Sequence, residues 1–514
     1  MTQTNISSLI EQMQKPEFYP HPVKQPIQLI QTHVSYVLLT GDYAYKLKKG
    51  VNFGFLDFST LEKRKHFCDE ELRMNGAIAP EIYLEVLPIT QTGDKFILGE
   101  EGEAVEYAVK MHQFPQENLF SEMFAAGKIT EENLEELGRL VAKFHAKSTT
   151  NEYIRSFGEV EKVREAFDEN YQQSEKYIGG AQTQQQFDET KEYTDRFFAE
   201  RQELFKERRE GDKIREGHGD LHLRNICLWN DKIQLFDRIE FNEPFRFVDV
   251  MYDVGFAMMD LDARGRSDFG NIFLNTYLEV TGDWEGLQVL PLYLSRQAYV
   301  RAKVTSFLLD DPAIGEEDKQ NAKKTAADYY RLAWEYTKTK QGRLFLMSGL
   351  SGSGKTTVAR ELAKHKGAIH LRSDAVRKHL AGISLNQRGG EDLYTPQMNQ
   401  KTYARLLELG IMLAKEGWTV ILDAKYDRLS LRNDAIAAAG SEKLPLQILH
   451  CTAPIEVLSD RLSQRSNDIS DATPDLLKQQ QATAETFTDS ERAYLINIDT
   501  AKVDWKEQLD SIDC

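Results

Sequence analysis

"HGDLHLRN", residues 218–225, sets an aspartate, Asp220, five residues ahead of an asparagine, Asn225. The next stretch, "NICLWNDKIQLFDRIEF" (225–241), reads as a hairpin of β-branched and aromatic residues around an Asn-Asp turn. It brings a second carboxylate, Asp237, to the end of its return strand. A carboxylate that accepts or orients a hydroxyl proton, with an amide and a carboxylate that hold a divalent cation, is a working set for phosphoryl transfer to an alcohol. Asp220 is the candidate proton acceptor, and Asn225 and Asp237 are the candidate Mg²⁺ ligands. A polar turn with both side chains satisfying backbone groups is the plainer alternative.

Such a site also needs a lysine on a strand and a glutamate on a helix to hold it. Upstream, "IQLIQT" and "SYVLLTGDYAYKLKK" are strand-like, with Gly41-Asp42 marking a turn. Ala44, Lys46 and Lys48 alternate along the last strand and share one face. Lys46 is the candidate for the nucleotide phosphates, with Lys48 its rival and an exposed Lys-Leu-Lys-Lys edge the structural alternative. A helix is expected next, opened by a capping box at Ser59 and Glu62. Its apolar stripe, Leu61, Phe67, Cys68, Leu72 and Met74, contains Glu71, with Glu70 at the edge. A charge inside a buried stripe needs a partner, so Glu71 is assigned to Lys46. Strands are expected to about 90 and again at 104–112, and mostly charged helices over 116–216. Asp249 and Asp253 are read as stabilising the loop or a helix rather than reacting, and His222 and Arg224 are given no chemistry.

These residues resemble the aminoglycoside phosphotransferase family, whose loop reads His-Gly-Asp where protein kinases read His-Arg-Asp. The resemblance spans about 25–338 and implies an α+β protein-kinase-like fold, with a small β-rich lobe to about 112 and a helical lobe after it. One departure stands out: no Gly-x-Gly-x-x-Gly precedes Lys46, and "QTHVSY" (31–36) takes that turn.

At "EYTKTKQGR" (335–343) the texture changes, which places a domain boundary there. Short buried-type strands, "RLFLMSG", "AIHLRSD", "TVILDAK" and "LQILHC", alternate with helical stretches, as in a parallel sheet flanked by helices. The first strand runs into "GLSGSGKTT" (349–357), a phosphate-binding loop in its required strand–loop–helix setting. Gly349, Ser351, Gly352, Ser353 and Gly354 would turn backbone N–H groups toward phosphate oxygens, with Thr357 in the first helical turn. Lys355 would reach the β- and γ-phosphates, and Thr356 would ligate Mg²⁺. Asp374 ends the second strand, where a side chain faces the ligand crevice of an open α/β sheet; it is the candidate base, with Arg377 holding the acceptor, unless Asp374 only caps a helix. Asp423 ends the third strand, placed as a Walker-B-like carboxylate to assist the metal or to order its water shell. Arg461 and Arg465, four apart, suit a lid that clamps the moving phosphate or a surface ion-pair face.

Together these residues look like the small P-loop kinases: polynucleotide kinase 5′-phosphotransferase domains, zeta-toxin-like kinases and chloramphenicol phosphotransferases. The resemblance covers about 343–514 and implies a three-layer P-loop NTPase sandwich with a parallel sheet. Members phosphorylate hydroxyls of nucleic acids, sugars or drugs, so the acceptor does not carry over.

Composition narrows the choice. The 514 residues hold 64 Lys+Arg against 81 Asp+Glu, a net charge of −17, which argues against a general polyanion binder. A nucleic-acid 5′-hydroxyl kinase in the C-terminal part is therefore disfavoured, and no basic stripe with stacking aromatics is evident. The four cysteines are far apart and suggest neither zinc nor a disulfide framework, which fits a reducing cytoplasm. No signal peptide or membrane span is expected. The expectation is a cytoplasmic fusion, domains 1–338 and 343–514, of two ATP- and Mg²⁺-dependent kinases acting on small-molecule hydroxyls. The rival is a regulatory protein in which one domain binds nucleotide without an acceptor.

Overall fold

The structure, a computed structural model, describes residues 3–312, 314–464, 469, 476–510 and 512. The chain forms two compact units. The first comprises Met1–Asn133, Lys147–Asp168 and Phe198–Asp260; the second comprises Leu134–Ala146, Glu169–Phe197 and Leu261–Cys514. This division does not follow the 338/343 change in sequence texture, because the helices of 261–335 cluster with the residues that follow them.

The first unit is built on an antiparallel sheet of six strands: β1 (Gln28–Gln31), β2 (Ser35–Leu39), β3 (Tyr43–Lys48), β4 (Tyr83–Thr92), β5 (Lys95–Leu98) and β6 (Ala104–His112). Their order is β1-β2-β3-β6-β4-β5. Alternation along β3 sorts its side chains onto two cores. Tyr45 and Leu47 join Leu9, Ile10 and Met13 of an N-terminal helix, Gln3–Met13, that the sequence pattern did not announce. Ala44 faces the other way, with Cys68 and Val109. That second face receives the helix Leu61–Gly76. Its N-cap is Thr60, whose hydroxyl accepts from Lys63 N at 3.3 Å. The expected cap, Ser59, instead donates to Asp57 at 2.6 Å, so the capping box at Ser59 and Glu62 is corrected by one residue.

Beyond a helical region come two short two-stranded pieces of sheet. β7 (Ile214–Glu216) pairs with β10 (Phe247–Asp249), and between them β8 (Ile226–Trp229) and β9 (Lys232–Leu235) form the expected hairpin, Ile226 opposite Leu235. The unit is an α+β kinase-like fold.

The second unit carries a parallel sheet of β11 (Arg343–Ser348), β12 (Ile369–Arg372), β13 (Thr419–Asp423), β14 (Leu446–Thr452) and β15 (Leu495–Asp499), in the order β12-β13-β11-β14-β15. Phe345, Met347 and Ile421 pack with Val358 and Leu362 of the helix Lys355–Lys366 on one face. On the other, Gly410 of the helix Pro396–Lys415 sits so close that an added Cβ would lie 2.8 Å from Leu422 and 3.2 Å from Leu344. This is the three-layer P-loop sandwich. The chain leaves β11 toward β12 and leaves β13 toward β14, on opposite sides. The crevice between the carboxyl ends of β11 and β13 is therefore the topological switch point where such sheets bind ligands.

Candidate active sites

In the first unit, Lys46 and Lys48 of β3 both reach the Leu61–Gly76 helix. Glu71, fully buried, accepts from Lys46 Nζ at 2.8 Å and from Lys48 Nζ at 2.6 Å. Lys46 continues to Asp237 Oδ1 at 2.6 Å. Lys48 instead pairs with buried Glu240 and lies 4.9 Å from the centre of the Phe58 ring. The rivalry between the two lysines thus resolves by direction: Lys46, partly exposed, faces Asp237, and Lys48 is an interior strut. Glu70 is taken by Arg73. Burial disfavours the Lys46 ammonium, but Asp237 and Glu71 outweigh it and hold its pKa well above the ordinary lysine value. For Glu71, burial is likewise outweighed by the two lysines, and its carboxyl stays below the usual range.

The loop bearing Asp220 is fastened from below. Asp253 accepts from His218 N at 2.6 Å and Gly219 N at 2.8 Å, and Asp260 accepts from Leu223 N at 2.9 Å. Both carboxylates do the stabilising work of a loop anchor. Gly219 has φ +84°, and a Cβ there would lie 2.6 Å from Phe245 O, so the middle residue of His-Gly-Asp must be glycine in this backbone. His218 is buried and its pKa is pushed down to about 4 by burial. Neutral, it accepts from Asp220 N at Nδ1 (3.3 Å) and donates from Nε2 to Phe236 O (3.0 Å). Asn225 Nδ2 donates to Asp220 O at 3.0 Å and Oδ2 at 3.2 Å. Phe236 N donates to Asn225 O at 3.1 Å, which seats Asp237 one residue past Asn225's neighbour on the hairpin. Asp237 has φ +60°, a conformation uncommon outside glycine and frequent at functional turns; its side chain is 44% exposed.

Arg238 and Glu240 were not singled out from sequence. Arg238, buried, donates to Met74 O (3.1 Å), Glu216 O (2.7 Å) and Gly217 O (3.0 Å), while its N–H reaches Asn75 Oδ1 at 2.9 Å. One side chain ties the end of the Glu71 helix to the start of the Asp220 loop. Only the local "FDRIEF" pattern, with charges alternating into a buried strand end, hinted at either residue. The turn that replaces a glycine-rich loop is closed on itself: Thr32 Oγ1 accepts from Val34 N at 3.2 Å and Ser35 N at 3.0 Å.

In the second unit the phosphate loop lines a cavity of about 1210 Å³. Ser351, Gly352, Gly354, Lys355, Thr356 and Thr357 line it, as do Asp374, Arg377, Asp423 and Arg461. Gly349 has φ +134°, and a Cβ there would lie 2.3 Å from Cys451 O. Ser353 Oγ is buried with no hydrogen-bond partner among the described residues. Lys355 Nζ lies over the loop, donating to Gly349 O at 2.9 Å and Leu350 O at 2.8 Å, and burial lowers its pKa. Asp423 Oδ2 accepts from His370 Nε2 at 2.9 Å. Burial would raise the Asp423 pKa, but His370, Arg372 and Lys355 hold it at about 2. Arg377 donates to Asp374 Oδ1 at 3.1 Å and Asn399 Oδ1 at 3.0 Å. Arg461 lies on the loop itself, donating to Gly352 O at 3.3 Å and Thr500 Oγ1 at 2.9 Å. Arg465 is outside the described residues.

Strand β12 is an edge strand, and the helix Ser267–Thr281 closes it. Asn271 and Asn275 donate to Ala368 O at 2.9 and 3.0 Å, and Asn275 Oδ1 accepts from His370 N at 2.8 Å. Glu279 pairs with Arg372 at 3.1 Å. Two amides thus complete an open edge and fix the strand that aims His370 at Asp423.

For Mg²⁺, the donors present are hard oxygens: Asp237 with the Asn225 amide in one unit, Asp423 with the Thr356 hydroxyl in the other. Among the described residues no three His, Cys, Asp or Glu side chains gather as a metal cage. The sets fit a cation that shares its shell with phosphate oxygens.

Fold and site geometry together define a chain with kinase-like folds in both halves. Residues 344–487 match the family model AAA_33, an AAA domain. The chain is 29% identical over 462 residues to the uncharacterized protein Rv2004c of Mycobacterium tuberculosis, covering 89% of this chain and 90% of that protein. A shikimate kinase of Geobacter sulfurreducens is 29% identical over 180 residues, 33% of this chain and 89% of the enzyme. A choline/ethanolamine kinase family protein from Mesorhizobium loti aligns in structure with a TM-score of 0.39 and 9% identity, over 64% of this chain and 99% of that one.

Proposed function

We propose that the chain is a bifunctional phosphotransferase that moves the γ-phosphoryl group of Mg·ATP onto hydroxyls of small molecules at two separate sites, one in each unit. The observation that carries this reading is a repeated grouping of a carboxylate for the hydroxyl proton, a lysine for phosphate and hard-oxygen donors. In the first unit these are Asp220, Lys46 and Asn225 with Asp237; in the second they are Asp374, Lys355 and Thr356 with Asp423.

In the first unit Lys46, fixed by Glu71, presents its ammonium beside Asp237, where phosphate oxygens would lie. Asp220 takes the hydroxyl proton as the alcohol attacks, and Asn225 keeps its carboxylate in place. In the second, the loop amides and the N-terminus of the Lys355–Lys366 helix hold the β- and γ-phosphates. Lys355 exchanges its two loop carbonyls for phosphate oxygens, Asp374 takes the proton, and Arg377 orients the acceptor. Bound Mg²⁺ would supply neutralisation of the charge shared by the β- and γ-oxygens. Residues 1–338 and 343–514 are the two sequence modules of this reading, and a reducing cytoplasm suits the buried free thiols Cys68, Cys227 and Cys451.

One observation favours a second reading for the first unit, nucleotide sensing without an acceptor: Thr32 consumes two N–H groups in the turn where kinases keep a phosphate-covering loop. The test is transfer from labelled ATP into a small-molecule extract by the Asp220→Asn and Asp374→Asn proteins. Loss of a distinct labelled product in each supports two sites. Products unchanged in Asp220→Asn, with nucleotide still bound through Lys46, support the sensing reading.

A further inference from the structure

We infer that the acceptor side of the second unit's site is completed by a helix from outside its own sequence module: Ser267–Thr281, whose Asn275 and Glu279 are positioning residues for the segment that carries Arg372, Asp374 and Arg377. This rests on the phosphotransferase reading of that unit and adds the element that governs its transfer step.

By sequence the helix belongs to the 1–338 module, yet by packing it falls in the second unit. Asn271, Asn275 and Glu279 stand four apart, so they form one stripe along the helix. Their partners stand two apart along β12 and the residue before it. Asn271 donates to Ala368 O at 2.9 Å, Asn275 accepts from His370 N at 2.8 Å, and Glu279 accepts from Arg372 Nη1 at 3.1 Å. Four helical residues advance about 6 Å and two strand residues about 6.6 Å. The two rows therefore keep step over two turns, and the stripe takes the place that a neighbouring strand would fill.

The contact continues past the strand. The helix Ser373–Leu380, which carries Asp374 and Arg377, is held near its far end: His379 Nε2 donates to Glu279 O at 2.8 Å. The Trp284 ring meets the His379 ring edge-on at 5.4 Å. Gly282, with φ +68°, ends the Ser267–Thr281 helix, and a Cβ there would lie 2.9 Å from His379 Nδ1. Glu279 thus serves both anchors, its carboxylate taking Arg372 and its carbonyl taking His379. Between the anchors hang Arg372, Asp374 and Arg377, which all line the cavity. Glu279 acts on the acceptor through these residues. The phosphate loop follows β11, which β13 separates from β12 in the sheet, so the nucleotide's grip does not pass through this helix. A misplacement of about 1 Å at reacting groups can cost about a hundredfold in rate, and freeing one of two anchors is expected to cost about tenfold.

The experiment uses the full-length protein. Asp374-dependent transfer from labelled ATP is followed into a dilution series of a small-molecule extract. The share of Mg·AMP-PNP binding that Lys355→Ala removes is measured by calorimetry. In Glu279→Ala the maximal transfer rate is expected to fall about tenfold, with the KM for ATP and the Lys355-dependent AMP-PNP affinity unchanged. Glu279→Gln keeps an oxygen for Arg372 and is expected to lose about threefold or less. Hydrogen exchange read by mass spectrometry tests the same anchor without an acceptor: Glu279→Ala should loosen peptides covering 368–379 and leave 343–348 and 355–366 as protected as in the wild type. A rate in Glu279→Ala within about twofold of the wild type, equal losses in the two variants, or exchange that is unchanged or rises through the whole sheet, overturns the inference and leaves the phosphotransferase reading standing. No Asp374-dependent transfer by the unaltered protein, with Lys355-dependent nucleotide binding intact, overturns that reading and the inference with it.

Discussion

Replacing Glu71 by glutamine tests how the first unit holds Lys46. Glu71 has no exposed surface and is the shared partner of Lys46 at 2.8 Å and Lys48 at 2.6 Å. Glutamine keeps the shape but removes the charge, and its NH₂ group would face an ammonium. Breaking a buried ion pair from one side costs about 3–5 kcal/mol. Two features soften the loss: Lys46 keeps Asp237 and Lys48 keeps Glu240, and Glu240, whose pKa burial and then Glu71 help to raise, is relieved of a neighbouring charge. That places the expected destabilisation near the low end, about 3 kcal/mol. Because the chain has two units and need not unfold in one step, the assay is native-state hydrogen exchange read on peptides covering 35–48 and 61–76. Adding Lys48→Met to Glu71→Gln leaves buried Glu240 without its cation and is expected to recover none of the loss. Protection within about 0.5 kcal/mol of the wild type in Glu71→Gln, or recovery in the double variant, refutes the reasoning.

Three more outcomes follow from single residues. Gly219→Ala forces a side chain onto a φ of +84° with its Cβ 2.6 Å from Phe245 O; Asp220-dependent turnover is expected to fall at least about tenfold through misplacement of the loop, and unchanged turnover contradicts the glycine argument. Burial pushes His218 down to about 4 from 6.5, so between these values the unfolded chain binds a proton that the folded one refuses. Stability of the first unit is whole above about pH 6.5 and falls by about 3 kcal/mol as pH drops to 4; His218→Gln should flatten that slope in urea titrations, and an unaltered slope counts against it. Asn275→Ala leaves His370 N without its acceptor, at a cost of about 1–3 kcal/mol, and the His370 amide should exchange faster in hydrogen-exchange NMR or mass spectrometry; unchanged protection would mean that the Ser267–Thr281 helix does not hold the edge of β12.

What was legible in the sequence was local. His-Gly-Asp with Asn225, and Gly349 to Thr356, are spaced by the reach of one loop, so their spacing alone was enough to single them out. Strand alternation also put Ala44, Lys46 and Lys48 on one face, as found. It did not separate the two lysines, because the separation is made by Asp237 and Glu240, which arrive from far along the chain. The cap slipped by one residue because Asp57 claims the Ser59 hydroxyl and leaves Thr60 to cap. Arg238 looked like one more charged residue beside Asp237; its worth lies in four carbonyl and amide contacts on two other segments. The seal on β12 was equally hidden, since Asn271 and Asn275 sit one helical turn apart in a region that carries no motif. The two units likewise divide the chain by packing, which a change of texture at 338–343 does not record.

The account turns on two independent nucleotide pockets in one polypeptide, and calorimetric titration of the full-length protein with Mg·AMP-PNP measures that directly. It predicts two molecules bound per chain, with Lys46→Ala and Lys355→Ala each removing one and leaving the other at its original affinity. A single bound molecule in the wild type, or both lost together in either variant, contradicts it.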